Sequence, residues 1–445
     1  MRLRNFLLGA MAGIAMAGSA AAADGADCRV GAYALADGQK VVITPSNEAN
    51  LRYRLLDGRS GKLFPTASNV FEGGEGWAVR EPVTTRVSFG PCAERRIEFQ
   101  HTGKAAQSGK KVPLRVSPLG FDSQGARLYG ELVLPERGRP KAIVVLQYGS
   151  GEDSAVLTNF VQYLLPLKDV GVLVFDKRGT GRSTGKLTGD FQRLADDMAA
   201  AVLAVRARPE AAGVPIGLMG ESQGGWVAPI TAEKVPVDFV VVSYGLAVSI
   251  AEEDRSEAVQ SVRLGGHDEA AVAKAVALHD AATRVFKSGL RKGVDELERL
   301  KAAYRSEPWY SAVGGDYTSV LAATPKEDWE QFRPFIDLNF DLDYDPAPVL
   351  ARSRTPMLWV LAGRDTEAPH EETKAVLQAL QAKGAPIDVV VFPNADHGMI
   401  EQEQGPNGWR DAGRHAPGYF DLLGEWIMSR RLPGRYGAAE AHPRR

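Results

Sequence analysis

Cysteine is scarce: Cys28 and Cys92 are the only two in a chain of 445 residues. That is too few for a small disulfide scaffold, and too few for a zinc site built mainly of thiolates. An excess of charge of either sign is also missing. The formal net charge is -2, which gives no electrostatic case for a nucleic-acid partner. There is no internal repeat, no low-complexity segment after the first residues, and no later apolar run long enough to span a bilayer. What remains is ordinary for a globular protein. With 44% hydrophobic and 24% charged residues, a disordered chain, a collagen-like chain and a coiled coil are all excluded. At ~100–200 residues per domain, the length accommodates two or three domains.

The first residues bear on compartment. Arg2 and Arg4 form a positive start, Phe6 to Ala17 is apolar, and Ala21-Ala22-Ala23 fits a small-residue cleavage site. This pattern predicts a cleaved secretory signal over residues 1–23. The apolar run is shorter than the ~20 residues of a spanning helix, so no stable membrane insertion is expected after cleavage. The arginines are not adjacent, and Cys28 does not directly follow the apolar run. Neither a twin-arginine signal nor a lipoprotein anchor is therefore expected. The predicted destination is the periplasm or the exterior. An oxidising compartment favours a Cys28–Cys92 disulfide over two buried free thiols.

Three textures follow. Residues 24–115 carry short alternating runs, such as Leu51-Tyr53-Leu55, Val87-Phe89 and Ile97-Phe99, separated by Asp57-Gly58 and Gly73-Gly74. They predict an accessory domain of short antiparallel strands. No catalytic cluster is evident there, and His101 reads as a surface residue. Residues 116–248 and 345–433 alternate compact Val/Ile/Leu runs with helical patterns. This is the signature of an α/β domain with a mostly parallel sheet covered on both faces. Residues 249–344 are rich in Ala, Glu, Arg and Lys, and Val294, Leu297, Leu300 and Tyr304 approximate a helical stripe. They predict an inserted helical cap. Its aromatic residues, among them Trp309, Tyr310, Trp329, Phe332 and Phe335, read first as core. Residues 434–445 read as a flexible tail.

The chemistry concentrates in Gly220-Glu221-Ser222-Gln223-Gly224-Gly225, which follows the apolar run Ile216-Gly217-Leu218-Met219. A sharp strand-to-helix turn lifts a serine hydroxyl above the sheet, and glycines are needed where the chain folds back on itself. A serine hydroxyl needs a base, and the base needs an orienting carboxylate. Asp365 follows the Pro356 to Leu361 run in Gly363-Arg364-Asp365, and His397 follows the Asp388 to Phe392 run. Both stand at predicted strand ends, where open α/β sheets place their sites. Asp396 and Glu367 compete for the acid role, and His370 and His415 for the base. The backbone N–H of Gln223 is one expected oxyanion donor. The second is expected from Ser150 or Gly151, in the loop Tyr148-Gly149-Ser150-Gly151.

Taken together, these residues resemble the α/β-hydrolase superfamily, and within it exported bacterial hydrolases of the dienelactone-hydrolase and prolyl-oligopeptidase-related branches. The resemblance rests on five pieces in order. They are Tyr148 to Gly151, Phe175-Asp176-Lys177-Arg178-Gly179-Thr180-Gly181-Arg182-Ser183, Gly220 to Trp226, Gly363 to Asp365, and Asp396-His397-Gly398. It covers roughly residues 120–248 and 345–432 and does not include the β-rich domain. One departure is Tyr148, where the family often has histidine. The segment from Asp176 lacks the spacing of a phosphate-binding loop. The resemblance implies instead a structural turn, with Asp176 and Arg178 paired locally.

The expected function is hydrolysis of a carboxylic ester through an acyl-enzyme on Ser222, with His397 as base and Asp365 as its orienter, and with no metal or organic cofactor. The expected partner is a small-molecule ester or a short acyl or peptidyl substrate. Peptidase or amidase action is the nearest alternative, and a non-catalytic binding protein on the same fold is a more distant one.

Overall fold

The computed structural model describes residues 27–444, apart from Glu75 and Asn407. The expected signal segment lies outside the described residues.

The first domain is a closed antiparallel barrel of eight strands. They are β1 (Gly31–Leu35), β2 (Lys40–Pro45), β3 (Leu51–Leu55), β4 (Ser60–Ala67), β5 (Val70–Gly73), β6 (Thr85–Phe89), β7 (Arg96–His101) and β8 (Gln107–Lys111). Alternation explains its interior. Every second residue points inward, so Leu51, Tyr53, Leu55, Val87, Phe89, Ile97 and Phe99 share one buried cluster. Pairing of β1 with β8 closes the ring, and closure removes the exposed edges that eight short strands would otherwise carry. Cys28 and Cys92 form a disulfide with Cα atoms 5.7 Å apart, fastening the entry of the barrel to the loop after β6. His101 is half-buried, and its Nδ1 bonds the Thr85 hydroxyl at 3.0 Å.

The second domain is built on a nine-stranded sheet. Its strands are β9 (Arg115–Ser123), β10 (Ala126–Leu134), β11 (Ala142–Gln147), β12 (Val170–Phe175), β13 (Ile216–Glu221), β14 (Val240–Ser243), β15 (Met357–Ala362), β16 (Ile387–Phe392) and, at the far edge, β19 (Glu440–His442). The order is β19-β16-β15-β14-β13-β11-β12-β10-β9, and β11 to β16 run parallel. The central strands are buried along their whole length because both faces are covered. Ile143, Val145 and Trp359 face one layer, formed by α1 (Phe191–Arg206) and α2 (Gly224–Lys234). Val144, Leu146 and Val360 face the other, which includes the outer residues Ala32 and Val42 of the barrel. The two domains thus share apolar surface.

The insertion consists mainly of α3 (Ile250–Leu264), α4 (Glu269–Lys287) and α5 (Val294–Tyr304). It begins at a capping box: Ser249 accepts from the Glu252 N–H, and Glu252 reaches back to the Ser249 N–H. Leu297, Leu300, Trp309, Trp329 and Phe332 are buried in a core of its own. The chain then returns to the sheet and adds α6 (His370–Ala382) and α7 (Tyr419–Ser429).

Two features depart from expectation. A hairpin of β17 (Ile400–Gly405) and β18 (Gly408–His415) interrupts the alternation. It leans on the barrel: the His415 N–H donates to the Gly58 carbonyl at 2.8 Å, and the Trp77 N–H to Asp411 Oδ2 at 2.5 Å. The segment 434–445, expected to be a flexible tail, instead supplies β19, antiparallel to β16. The Arg444 N–H also donates to Asp388 Oδ1 at 2.7 Å. Free backbone groups on the open edge of β16 account for that pairing. Among the described residues no helix is long and apolar enough to cross a membrane.

Replacing both cysteines by serine should cost roughly 2–4 kcal/mol of stability, because the crosslink closes a long loop in the unfolded chain. The urea midpoint of the double variant measures this, and an unchanged midpoint would contradict it.

Candidate active site

The site starts from a backbone constraint. Ser222 follows β13 directly and has φ of 52°, a left-handed conformation that a side-chain-bearing residue adopts only under compulsion. The compulsion comes from both sides. A Cβ on Gly220 would lie 2.1 Å from the Gly224 carbonyl oxygen, so glycine is needed where the chain doubles back. The Ser222 N–H donates to the Ser243 carbonyl at 3.0 Å. Gln223 then begins α2, placing the helix N-terminus under the serine. Ser222 is buried, and among the described residues its Oγ makes no hydrogen bond.

Parallel strands bring the other groups in. Asp365 lies just beyond β15 and His397 just beyond β16, and these strands neighbour each other in register. His397 Nδ1 meets Asp365 Oδ2 at 2.8 Å. Asp365 is 1% exposed, and its Oδ1 accepts the N–H groups of Glu367 and Ala368 at 2.9 and 2.8 Å. The carboxylate is therefore held from both oxygens. With Nδ1 protonated towards Asp365, Nε2 carries a lone pair. The Tyr244 ring packs edge-on against His397 with centroids 5.0 Å apart.

Three of the four competitors go elsewhere, and Glu367 stays near the histidine. Asp396 turns away, accepting the Ile400 N–H and the Gln402 side-chain amide, each at 3.0 Å. Glu367 Oε2 comes to 3.9 Å from His397 Nε2, and its side chain is partly exposed. His370 sits at the start of α6 beside Glu371. His415 ends β18, buried against Phe160 and Phe420.

On the expected oxyanion side, Gly149 packs against the serine: a Cβ added there would lie 3.2 Å from Ser222 Cβ. Ser150 is half-buried and Gly151 exposed. The expected Asp176–Arg178 pair is not formed. Arg178 makes a buried bidentate pair with Asp197 on α1, at 2.7 and 2.6 Å. Asp176 instead accepts from the Ser154 hydroxyl, the Val156 N–H and the Arg182 N–H. Its acceptors serve two loops at once, which a local pair could not do.

Several neighbours carry no signature in the sequence. Glu221 is buried beside Ser222 and receives the Asn159 amide at 2.7 Å. Burial pushes its carboxyl up, while hydrogen bonds from Asn159 and Tyr244 and the charge of Arg54 pull the other way. Arg54 comes from β3 of the barrel. Its guanidinium stands 4.1 Å over the Phe160 ring and donates to the Thr44 hydroxyl at 3.0 Å. Burial, with the neighbouring Arg52, lowers it to about 9. Among the described residues no group of three or more His, Cys, Asp or Glu could hold a metal ion.

Comparison with known proteins places the chain among hydrolases. The serine aminopeptidase family S33 matches residues 138–263, and the prolyl oligopeptidase family matches residues 316–413. Esterase EstD of Thermotoga maritima is 24% identical over 340 residues, covering 73% of this chain and 72% of that protein. Human monoglyceride lipase is 29% identical over 132 residues, 29% of this chain and 42% of the lipase. An acylaminoacyl peptidase structure from Pyrococcus horikoshii aligns with a TM-score of 0.45 and 13% identity, over 88% of this chain and 56% of that one. The chain is an α/β-hydrolase related to the prolyl oligopeptidases, and a serine hydrolase.

Asp396 yields a pH test. Burial raises it to about 7 from an ordinary 3.8. Between those values the folded chain keeps a proton that the unfolded chain has released, so stability falls as pH rises through that window. Asp396→Asn removes the titration, so its Tm relative to the parent should climb steadily from about pH 4 to about pH 7. A constant difference over the window would contradict the assignment.

Proposed function

We propose that this α/β-hydrolase is an exported esterase that cleaves small carboxylic esters through an acyl-enzyme on Ser222. The observation that carries the reading is the 2.8 Å contact of His397 Nδ1 with Asp365 Oδ2, at strand ends beside a serine held in a left-handed turn. Ser222 Oγ forms a bond to the ester carbonyl carbon, and the carbonyl π pair moves onto oxygen. His397 Nε2 takes the serine proton while Asp365 holds the imidazole and stabilises its cation. N–H groups of Gln223 and Ser150 receive the negative oxygen. As the tetrahedral species collapses, the bond to the alcohol oxygen breaks and His397 returns the proton to it. Water, deprotonated by His397, then releases the acid by the same sequence. The unbonded Ser222 hydroxyl fits this scheme, because such hydrogen bonds often tighten only when substrate arrives.

Similarity to an esterase over most of the chain supports ester over amide chemistry. The cap is proposed to shape the substrate pocket: the Gln260 amide of α3 reaches the Asp365 carbonyl oxygen at 3.3 Å. Export is supported by the signal-like start and the disulfide. A second reading, peptidase or amidase action, draws on the two peptidase family matches. The barrel in front of the catalytic domain is a single eight-stranded ring, whereas a propeller repeats four-stranded blades.

Ser222→Ala should lower kcat/KM on p-nitrophenyl esters by several powers of ten and abolish fluorophosphonate labelling. Asp365→Asn should cost about ten-thousandfold in kcat. Parental activity in the serine variant would refute the mechanism. Faster cleavage of peptide anilides than of esters would put the second reading first.

A further inference from the structure

Lys177 follows Asp176 just after β12 and is 2% exposed. An ammonium group this deep is costly unless its donors are used. Its Nζ donates to the Gly149 carbonyl at 2.7 Å and stands 4.5 Å from the centre of the Tyr148 ring. Gly149 is the residue that packs on the nucleophile, since a Cβ there would come 3.6 Å from Ser222 Oγ. In a trans peptide the carbonyl and the following N–H point in opposite directions. Drawing the Gly149 carbonyl towards Lys177 therefore turns the Ser150 N–H away from Lys177. Among the described residues that N–H donates to no other group, and neither does the Gln223 N–H. The Tyr148 hydroxyl holds the remainder of the loop, sharing its one proton between the Gly151 carbonyl, at 2.5 Å, and the Asp153 carbonyl.

We propose that Lys177 is a positioning residue for the oxyanion site, orienting the Gly149–Ser150 peptide so that the Ser150 N–H joins the Gln223 N–H on the negative oxygen. This inference rests on the serine-hydrolase mechanism proposed above. Lys177 touches neither substrate nor reacting atoms, and it acts through one peptide plane. The aromatic face of Tyr148 keeps its ammonium on the far side of the loop. The contribution belongs to the transition state, because the ester carbonyl carries little charge before attack.

The test uses the full chain and p-nitrophenyl esters. Lys177→Met keeps the aliphatic stem and removes the donor. Its kcat should fall about 10- to 100-fold, less than the ~10²–10³ lost when a donor is deleted outright. KM should stay within about twofold. Affinity for an alkyl trifluoromethyl ketone, whose hemiketal oxygen occupies the oxyanion position, should weaken by the same factor as kcat. Lys177→Arg, which still donates from that side, should recover most of the loss. A folded Lys177→Met protein with parental kcat and ketone affinity overturns the inference. So does a loss confined to KM. If methionine is not tolerated, Lys177→Leu, which also lacks a donor, takes its place with the same expected losses. Ser222→Ala separates the two levels of argument. If it retains turnover, the mechanism fails and this inference with it. If it is inactive while the Lys177 variants match the parent, only this inference fails.

Discussion

A serine backbone at φ 52° costs on the order of 1–3 kcal/mol relative to an ordinary extended residue, and the rest of the site is arranged around that cost. Gly220 and Gly224 permit the reversal, and the Ser243 carbonyl captures the serine N–H. The start of α2 brings the positive end of a helix next to the serine. Once the serine is fixed at the end of β13, parallel pairing dictates where its partners can come from. The carboxyl ends of β15 and β16 lie at the same edge of the sheet, and the loops that follow them carry Asp365 and His397. The pairing of His397 with Asp365 is thus a consequence of strand direction, and the loops supply the final adjustment.

The barrel is connected to this arrangement by more than a linker. Its Ala32 and Val42 complete one apolar layer of the sheet. Its β3 sends Arg54 across the Phe160 ring towards Glu221, the residue before Ser222. Burial disfavours the charged form of both groups, raising Glu221 and lowering Arg54, and each partly offsets the other's desolvation. The β17–β18 hairpin makes a second connection, because it begins three residues after His397 and rests on Gly58 and Trp77 of the barrel. The histidine loop is therefore braced from outside the domain that carries the chemistry.

Much of this was legible from residues alone, for physical reasons. Val170 to Phe175 and Met357 to Leu361 are apolar without alternation, as strands covered on both faces must be, and the structure makes them β12 and β15. The placement of Ser222, Asp365 and His397 at strand ends, and the contact between the last two, could be anticipated because each combines a chemical type with a strand end. Lys177, Asn159, Tyr244 and Arg54 could not. Their roles depend on burial and on contacts between distant segments, and a lysine after a strand looks the same whether it points to water or to Gly149. Arg178 shows the same limit from the other side: adjacency favoured Asp176, but the helix brings Asp197 to it in bidentate geometry. The tail was misjudged because three residues of pairing leave no periodic pattern, and the partner edge is more than 40 residues upstream.

That last strand affects how copies of this molecule meet. A parallel sheet ending on Val389, Val390 and Val391 would offer neighbouring molecules a row of unpaired backbone groups with apolar flanks, a template for edge-to-edge association. With Glu440-Ala441-His442 laid along it, the sheet ends on a segment too short to guide another chain, with a carboxylate at its start. The residues after the last helix therefore do two things: Tyr436 packs into the apolar layer beside the sheet, and the short strand beyond it covers the backbone groups of β16.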